Sequence, residues 1–223
     1  MIPLATDEDI ALRASSDVMA LCPRDQTLVS GSDGVIAPDD RWTLASPGAN
    51  LAGVGLQPGQ LIHLIRPTSA FGPGGEVLVI HQVTPTGVVL RRKGQLAGVG
   101  QPPAAATGIE FAVRTLGPQI VRAGQEIGRR LGIDDRFPGR RAIDLGDPTE
   151  VREAVVLTVL YRQFLDQSRQ SSGAGDRPDD WYSAKARMIK AELDERLSGL
   201  ALRWSSNANG AGETIRFGMR MTR

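Results

Sequence analysis

The chain has 223 residues, 41% of them hydrophobic, with 26 Lys plus Arg against 25 Asp plus Glu. That is enough apolar material for one domain or two small ones, and the charge balance excludes a molecule-wide attraction to DNA or to an anionic membrane, leaving only local charge effects. Aromatic content is 4% while Gly and Pro number 26 and 14, which predicts a loop-rich fold filled by Leu, Val, Ile and Ala.

The opening "MIPLATDEDIALRA" is acidic where a secretory leader is basic, so synthesis and residence in the cytoplasm are expected. Thr6 caps a short helix there, with Asp9 three residues on and acids in the first turn. Residues 1–25 form this N-terminal helical segment. The single cysteine, Cys22, excludes an intramolecular disulfide and cannot alone make a zinc site.

From residue 26 to residue 115 the chain becomes β-like. "QTLVSG", "RWTLAS", "GQLIHLIR", "EVLVIHQV", "TGVVLRRKG" and "IEFAVRTL" are short apolar runs separated by Gly, Pro, Asn and Asp. They predict a small antiparallel barrel or sandwich. The longest charge-free run, Trp42 to Ile65, is interrupted by Pro47 and Pro58 and cannot be a membrane helix.

Residues 116–204 read as a helical body. "GPQIVRAGQEIGRRLGI" places Ile120, Gly124, Ile127 and Leu131 on one face. The next helix starts at Asp147-Pro148 and is apolar over more than one side, from Val151 through Leu165. In the last helix Tyr182, Ala186, Ile189, Leu193, Leu197, Leu200 and Trp204 recur at steps of four and three, a seam for packing on its predecessor. The two long helices read as an antiparallel hairpin.

The end, "ETIRFGMRMTR", alternates Ile215, Phe217, Met219 and Met221 with Thr214, Arg216, Gly218 and Arg220, the period of a half-buried strand. The helix and the "SSNANGAGE" linker before it supply no hairpin partner, so residues 205–223 are expected to be an extended, mobile tail. The expected fold class is therefore α+β: an antiparallel helical bundle or hairpin, an inserted small β-barrel or sandwich, and an extended C-terminal strand.

Catalytic signals are scarce. His63 and His81 lie inside predicted strands, and neither has a partner at ligand spacing. "GVGLQPG" and "FGPGGE" lack the Lys-Ser/Thr ending of a P-loop, no "GxSxG" elbow is present, and Cys22 has no neighbouring histidine to activate it. Paired acids such as Asp39 and Asp40 fall at turns. The chain thus reads as a non-enzyme with no cofactor and no metal. Two basic clusters remain, "LRRKG" at Leu90 to Gly94 and Arg129, Arg130, Arg136, Arg140 and Arg141, either of which can touch phosphate. Interleaved aromatics, which single-strand binding needs, are missing from both.

The order of parts, with "VREAVVLTVLYRQFLDQSR", a polar turn, "DDWYSAKARMIKAELDERLSGL" and an extended tail, resembles the head–tail connector (adaptor, or head-completion) proteins of tailed bacteriophages. The likeness is best over residues 115–204. It implies a structural virion protein of the neck, made in the host cytoplasm, that forms a homo-oligomeric ring, usually twelve-fold, under the portal protein. It further implies a tail-side stopper or tail protein as the other neighbour, genomic DNA passing through the lumen without sequence-specific binding, and no membrane partner. Small members of the family are mainly helical, so the β-rich region is an addition to their pattern.

An amphipathic strand offers unpaired backbone groups to a foreign sheet edge. The partner-binding residues expected on this reading are Trp204, Ile215, Arg216, Phe217, Met219, Arg220 and Met221, the apolar ones buried in the complex and the arginines facing an acidic surface. The alternative is a nucleic-acid-binding module built on the small β-domain, with "LRRKG" on the backbone.

Overall fold

A computed structural model of the chain describes residues 4–14, 18–133, 141, 145, 147–171, 181–203 and 214–216. It divides into two compact units, residues 6–116 and residues 1–5 with 117–223.

The first unit opens with helix α1 (Asp7–Ala14) and a single turn, α2 (Val18–Leu21). Thr6 and Asp9 cap α1 as a reciprocal pair: the Thr6 N–H donates to Asp9 Oδ2 at 2.7 Å and the Asp9 N–H to Thr6 Oγ1 at 3.3 Å. Six strands follow, β1 (Thr27–Ile36), β2 (Thr43–Ala45), β3 (Leu61–Arg66), β4 (Glu76–Thr84), β5 (Gly87–Arg91) and β6 (Ala106–Arg114), with one turn of helix, α3 (Thr68–Phe71), between β3 and β4. They close into an antiparallel barrel of order β1-β2-β5-β4-β3-β6. Each expected β-run lies in one of these strands, and of the two architectures expected for them the barrel is the one formed.

Alternation drives the closure. Leu44, Ile62, Leu64, Leu78, Ile80, Leu90, Ile109 and Phe111 are fully buried in the barrel core, each removal from water stabilising by about 1.5–3 kcal/mol. β1 extends further than the "QTLVSG" run, through a glycine-bearing stretch with register shifts between Gly31, Gly34 and Val35. Gly31 is paired with Phe111, and a Cβ there would lie 2.8 Å from the Phe111 ring. Missing side chains let the strand close over that ring, which explains why the segment carries a weak strand signal in sequence.

The second unit contains α4 (Gly117–Arg130), α5 (Thr149–Ser171) and α6 (Trp181–Gly199), followed by β7 (Ala201–Arg203) and β8 (Thr214–Arg216). Asp147 Oδ1 accepts the Thr149 N–H at 2.9 Å, the cap expected before α5. Val151, Ala154 through Leu160 and Phe164 are buried, so α5 is enclosed on several sides within its own chain. α6 presents Ala186, Ile189, Leu193 and Leu197 as its buried side. The Phe164 ring meets Trp181 edge-on at 6.2 Å and Tyr182 at 6.2 Å, and Arg162 binds Glu126 of α4.

The expected architecture needs correction in three respects. A helical bundle or hairpin carrying a small insertion is not what the chain forms: the fold is α+β with a closed six-stranded barrel as a unit in its own right. Helix α1 lies in the same compact unit as the barrel. Its acids explain this. Asp7 is buried, accepting the Thr115 hydroxyl and the Leu116 N–H at 2.7 Å each, while Glu8 holds Arg91 through both carboxylate oxygens and also accepts the Gly94 N–H at 3.0 Å. Secondly, the segment joining α5 to α6 lies outside the described residues, and no hairpin is shown.

Thirdly, the C-terminal strand is not alone. β7 and β8 pair antiparallel, Ala201 with Arg216, Leu202 with Ile215 and Arg203 with Thr214. The helical seam expected to run to Trp204 stops earlier because α6 ends at Gly199 and the chain turns extended at Ala201. No described helix is long and apolar enough to cross a membrane.

Two predictions follow from these packing relations. Gly87 sits with its Cα against β2, where a Cβ would fall 2.3 Å from the Leu44 carbonyl oxygen; Gly87→Ala is expected to lower unfolding free energy by about 1–3 kcal/mol, measurable by urea titration. Burial raises the Asp7 carboxyl from 3.8 to about 6 against the opposing bonds from Thr115 and Leu116. The folded state therefore binds the extra proton between those values, so this contribution to stability grows as pH falls through about 6 and is lost above it. Between about pH 7.5 and about pH 5 the gain should be roughly 1 kcal/mol, and Asp7→Asn, which keeps an acceptor for Leu116, should flatten the profile. Glu126, held down chiefly by the hydrogen bond from Arg162, acts below its ordinary 4.5 and leaves that window clear.

Candidate docking site

α6 delivers the chain to the candidate site. Gly199 ends the helix, Leu200 is buried, and β7 then runs beside β8. Among the described residues these strands form a sheet of two and pair with no third. With three residues on each strand, the ribbon has few ladder bonds and two open edges. A two-stranded sheet of this size is marginal in water, whereas a third strand added at either edge would satisfy its outward N–H and C=O groups.

Of the residues expected to bind a partner, Ile215 and Arg216 stand in β8, opposite Leu202 and Ala201. Trp204, Phe217, Met219, Arg220 and Met221 lie outside the described residues. The sequence reading missed Ala201, Leu202 and Arg203 as the strand partner. Gly199, a helix-stopping residue followed by alternating "LALR", is the signal that marks them.

Elsewhere Glu8, Arg91, Arg92 and Arg130 are each engaged within the chain. A cleft of about 390 Å³ borders Glu8, Leu12, His81, Arg91 and Leu96, but Glu8 and Arg91 bind each other across it. Arg92 pairs with Glu76 at 2.7 Å and donates through Nε to the Gln101 carbonyl at 2.6 Å. Both arginines of "LRRKG" are thus tied into the barrel. In the other basic cluster Arg130 pairs with Glu126 at 2.6 Å, and Arg136 and Arg140 lie outside the described residues. His63 Nε2 is 2.8 Å from the Gly74 carbonyl, and His81 is exposed on β4.

Cys22 is buried and its thiol is pushed up to about 12, first by burial and then by the nearby Asp7 charge, with Arg114 acting in the opposite direction. Such a thiol is inert as a nucleophile. Among the described residues no three His, Cys, Asp or Glu side chains gather as a metal site. The loops "LAGVGLQP" from Leu51 and "LAGVGQPP" from Leu96 are nearly alike in sequence but differ in structure: Leu51 is buried and Leu96 is 79% exposed, and Gly98 has positive φ whereas the corresponding Gly53 does not.

Comparison of the chain with family models, curated proteins and solved structures gives no match.

The ribbon can be separated from the cores by substitution. Ile215→Pro removes one ladder N–H; it should abolish amide-exchange protection across residues 201–203 while changing global unfolding free energy by less than about 0.5 kcal/mol.

Proposed function

We propose that this chain is a head–tail adaptor of a tailed bacteriophage, a non-enzymatic virion component that forms a ring beneath the portal protein and leaves a channel for DNA. The observation that carries the reading is the open-edged ribbon of β7 and β8. A short two-stranded ribbon gains most from a third strand supplied by another molecule, and β-augmentation is a general way for assemblies to join. The pattern resemblance over residues 115–204 names the kind of assembly, with the portal or a neighbouring subunit offering the strand and a tail-side stopper or tail protein below.

A closed ring repeats each contact, so a modest ribbon is sufficient when many act together. The formal net charge of +1 suits a lumen through which DNA slides without being gripped. The rival reading, a nucleic-acid module on the barrel, would rely on "LRRKG", whose Arg91 and Arg92 are committed to Glu8 and Glu76. A DNA affinity that fell steeply with added salt would favour that rival instead.

The test is to mix the purified chain with the portal protein of the same phage and record native mass. A ring-sized complex is expected, with ribbon amides slower to exchange in the complex than in the free chain. Truncation after Trp204 removes β8 and should weaken docking at least tenfold, with the barrel and helical cores unchanged. Equal docking by the truncated chain would remove the ribbon from the mechanism, and no complex at all would remove the adaptor reading.

A further inference from the structure

The outer wall of the barrel carries a basic group that the fold leaves unmatched. β6 turns Ile109, Phe111 and Val113 into the core, so strand alternation places Glu110, Ala112 and Arg114 outside. All three line a cleft of about 460 Å³ where β6 runs between β1 and β3. Ala112 stands midway, in register with Ser30 of β1 and His63 of β3, and its short side chain leaves the space open.

Arg114 differs from four other arginines of the same unit. Arg41 donates to the Pro102 and Pro103 carbonyls, while Arg66, Arg91 and Arg92 pair with Glu110, Glu8 and Glu76. Arg114 is half-buried, its Nε is sealed from water without a hydrogen-bond partner, and no carboxylate among the described residues pairs with it. Asp7, which shares with it the neighbourhood of Cys22, gives its carboxylate oxygens to Thr115 and Leu116. A guanidinium that has lost part of its hydration and gained no counter-ion is stabilised by an anion brought to the open part of its fork.

The rest of the lining selects among anions. Glu110 lies four residues along β6, about 13 Å away at the strand rise, and repels a second negative group, which disfavours a phosphate chain or a nucleic-acid backbone. Between these poles the hydroxyls of Ser30 and Ser32 make no hydrogen bond among the described residues, and Ile65 of β3 adds an apolar wall. The set matches one carboxylate on a short carbon stem: the fork of Arg114 takes the acid, the hydroxyls take polar atoms beside it, and Ala112 and Ile65 cover the stem.

We propose that this cleft is a carboxylate-binding site anchored by Arg114, for a ligand that carries a single acid on an aliphatic stem. Two sources offer that chemistry, a free organic acid and the glutamate side chain of a peptide. The site is independent of the ribbon and of the adaptor reading.

Nuclear magnetic resonance of the isotope-labelled full chain tests it, because the Arg114 Nε–H gives its own signal. The probes are sodium butyrate and a capped alanine–glutamate–alanine peptide, with sodium chloride and inorganic phosphate compared at equal ionic strength. Butyrate or the peptide should shift the Arg114 signal saturably at about millimolar concentration, and chloride should not. A peptide bound at least tenfold more tightly than butyrate identifies a protein side chain as the source, and equal or weaker binding identifies the free acid. Read at the Ser30 and Ala112 amides, Arg114→Gln should abolish saturation and Arg114→Lys should weaken binding about tenfold, since an ammonium lacks the fork. Glu110→Gln changes an exposed side chain and keeps the anchor, so it serves even where the Arg114 variants do not fold; it should tighten butyrate binding about threefold by removing the opposing charge. The proposal is overturned by no saturable shift with either carboxylate, by a shift that chloride reproduces, by binding that survives Arg114→Gln, by butyrate binding that Glu110→Gln fails to tighten, or by phosphate bound more tightly than both carboxylates.

Discussion

β6 is hydrogen-bonded on both sides, to β1 and to β3, and this double pairing converts a row of strands into a cylinder. Everything in the first unit depends on it. An open sheet of this sequence would present β1 and β6 as bare edges, whereas the closed one satisfies their backbone groups and seals Phe111, Ile109 and Leu44 away from water. Closure leaves the barrel less open edge than a sheet would have, although β1 meets β2 only at Val35 and Ala45, while the ribbon of β7 and β8 is open along both sides among the described residues.

Charged residues fasten the first unit where apolar ones alone would leave it loose. Asp7 turns a strand terminus, Thr115 and Leu116, into a receptor for the start of α1. The carboxylate costs more to bury than its two hydrogen bonds return, which is why its proton is held more tightly than that of an ordinary aspartate. Glu8 is the inexpensive counterpart, partly exposed and matched to Arg91 in the two-pronged geometry that guanidinium favours. Helix α1 thus sits on the barrel by one strained acid and one comfortable one.

Much of this was legible in the residues. Period-two runs marked the barrel strands, and Thr6 with Asp9, and Asp147, marked two helix starts, because caps and alternation are local properties. Barrel closure was not legible, since the pairing of Thr27 with Arg114 joins positions far apart in the chain. The acids of α1 were read as first-turn charges, and nothing near them in sequence announces Thr115 or Arg91. Helical spacing carried the α6 seam on to Trp204, and Gly199 was passed over, so β7 and with it the partner of β8 went unseen. For the candidate site, the strand character of Ile215 and Arg216 was readable while its partner was not.

The reach of Glu8 carries a consequence for inheritance. One carboxylate serves a guanidinium 83 positions away and a turn amide 86 positions away. A lineage that loses the acid strands an arginine in a half-covered cleft, and one that loses the arginine strands the acid. Substitutions at positions 8 and 91 should therefore travel together through descent, a coupled signature by which distant kin of this barrel are recognisable after their loops have diverged.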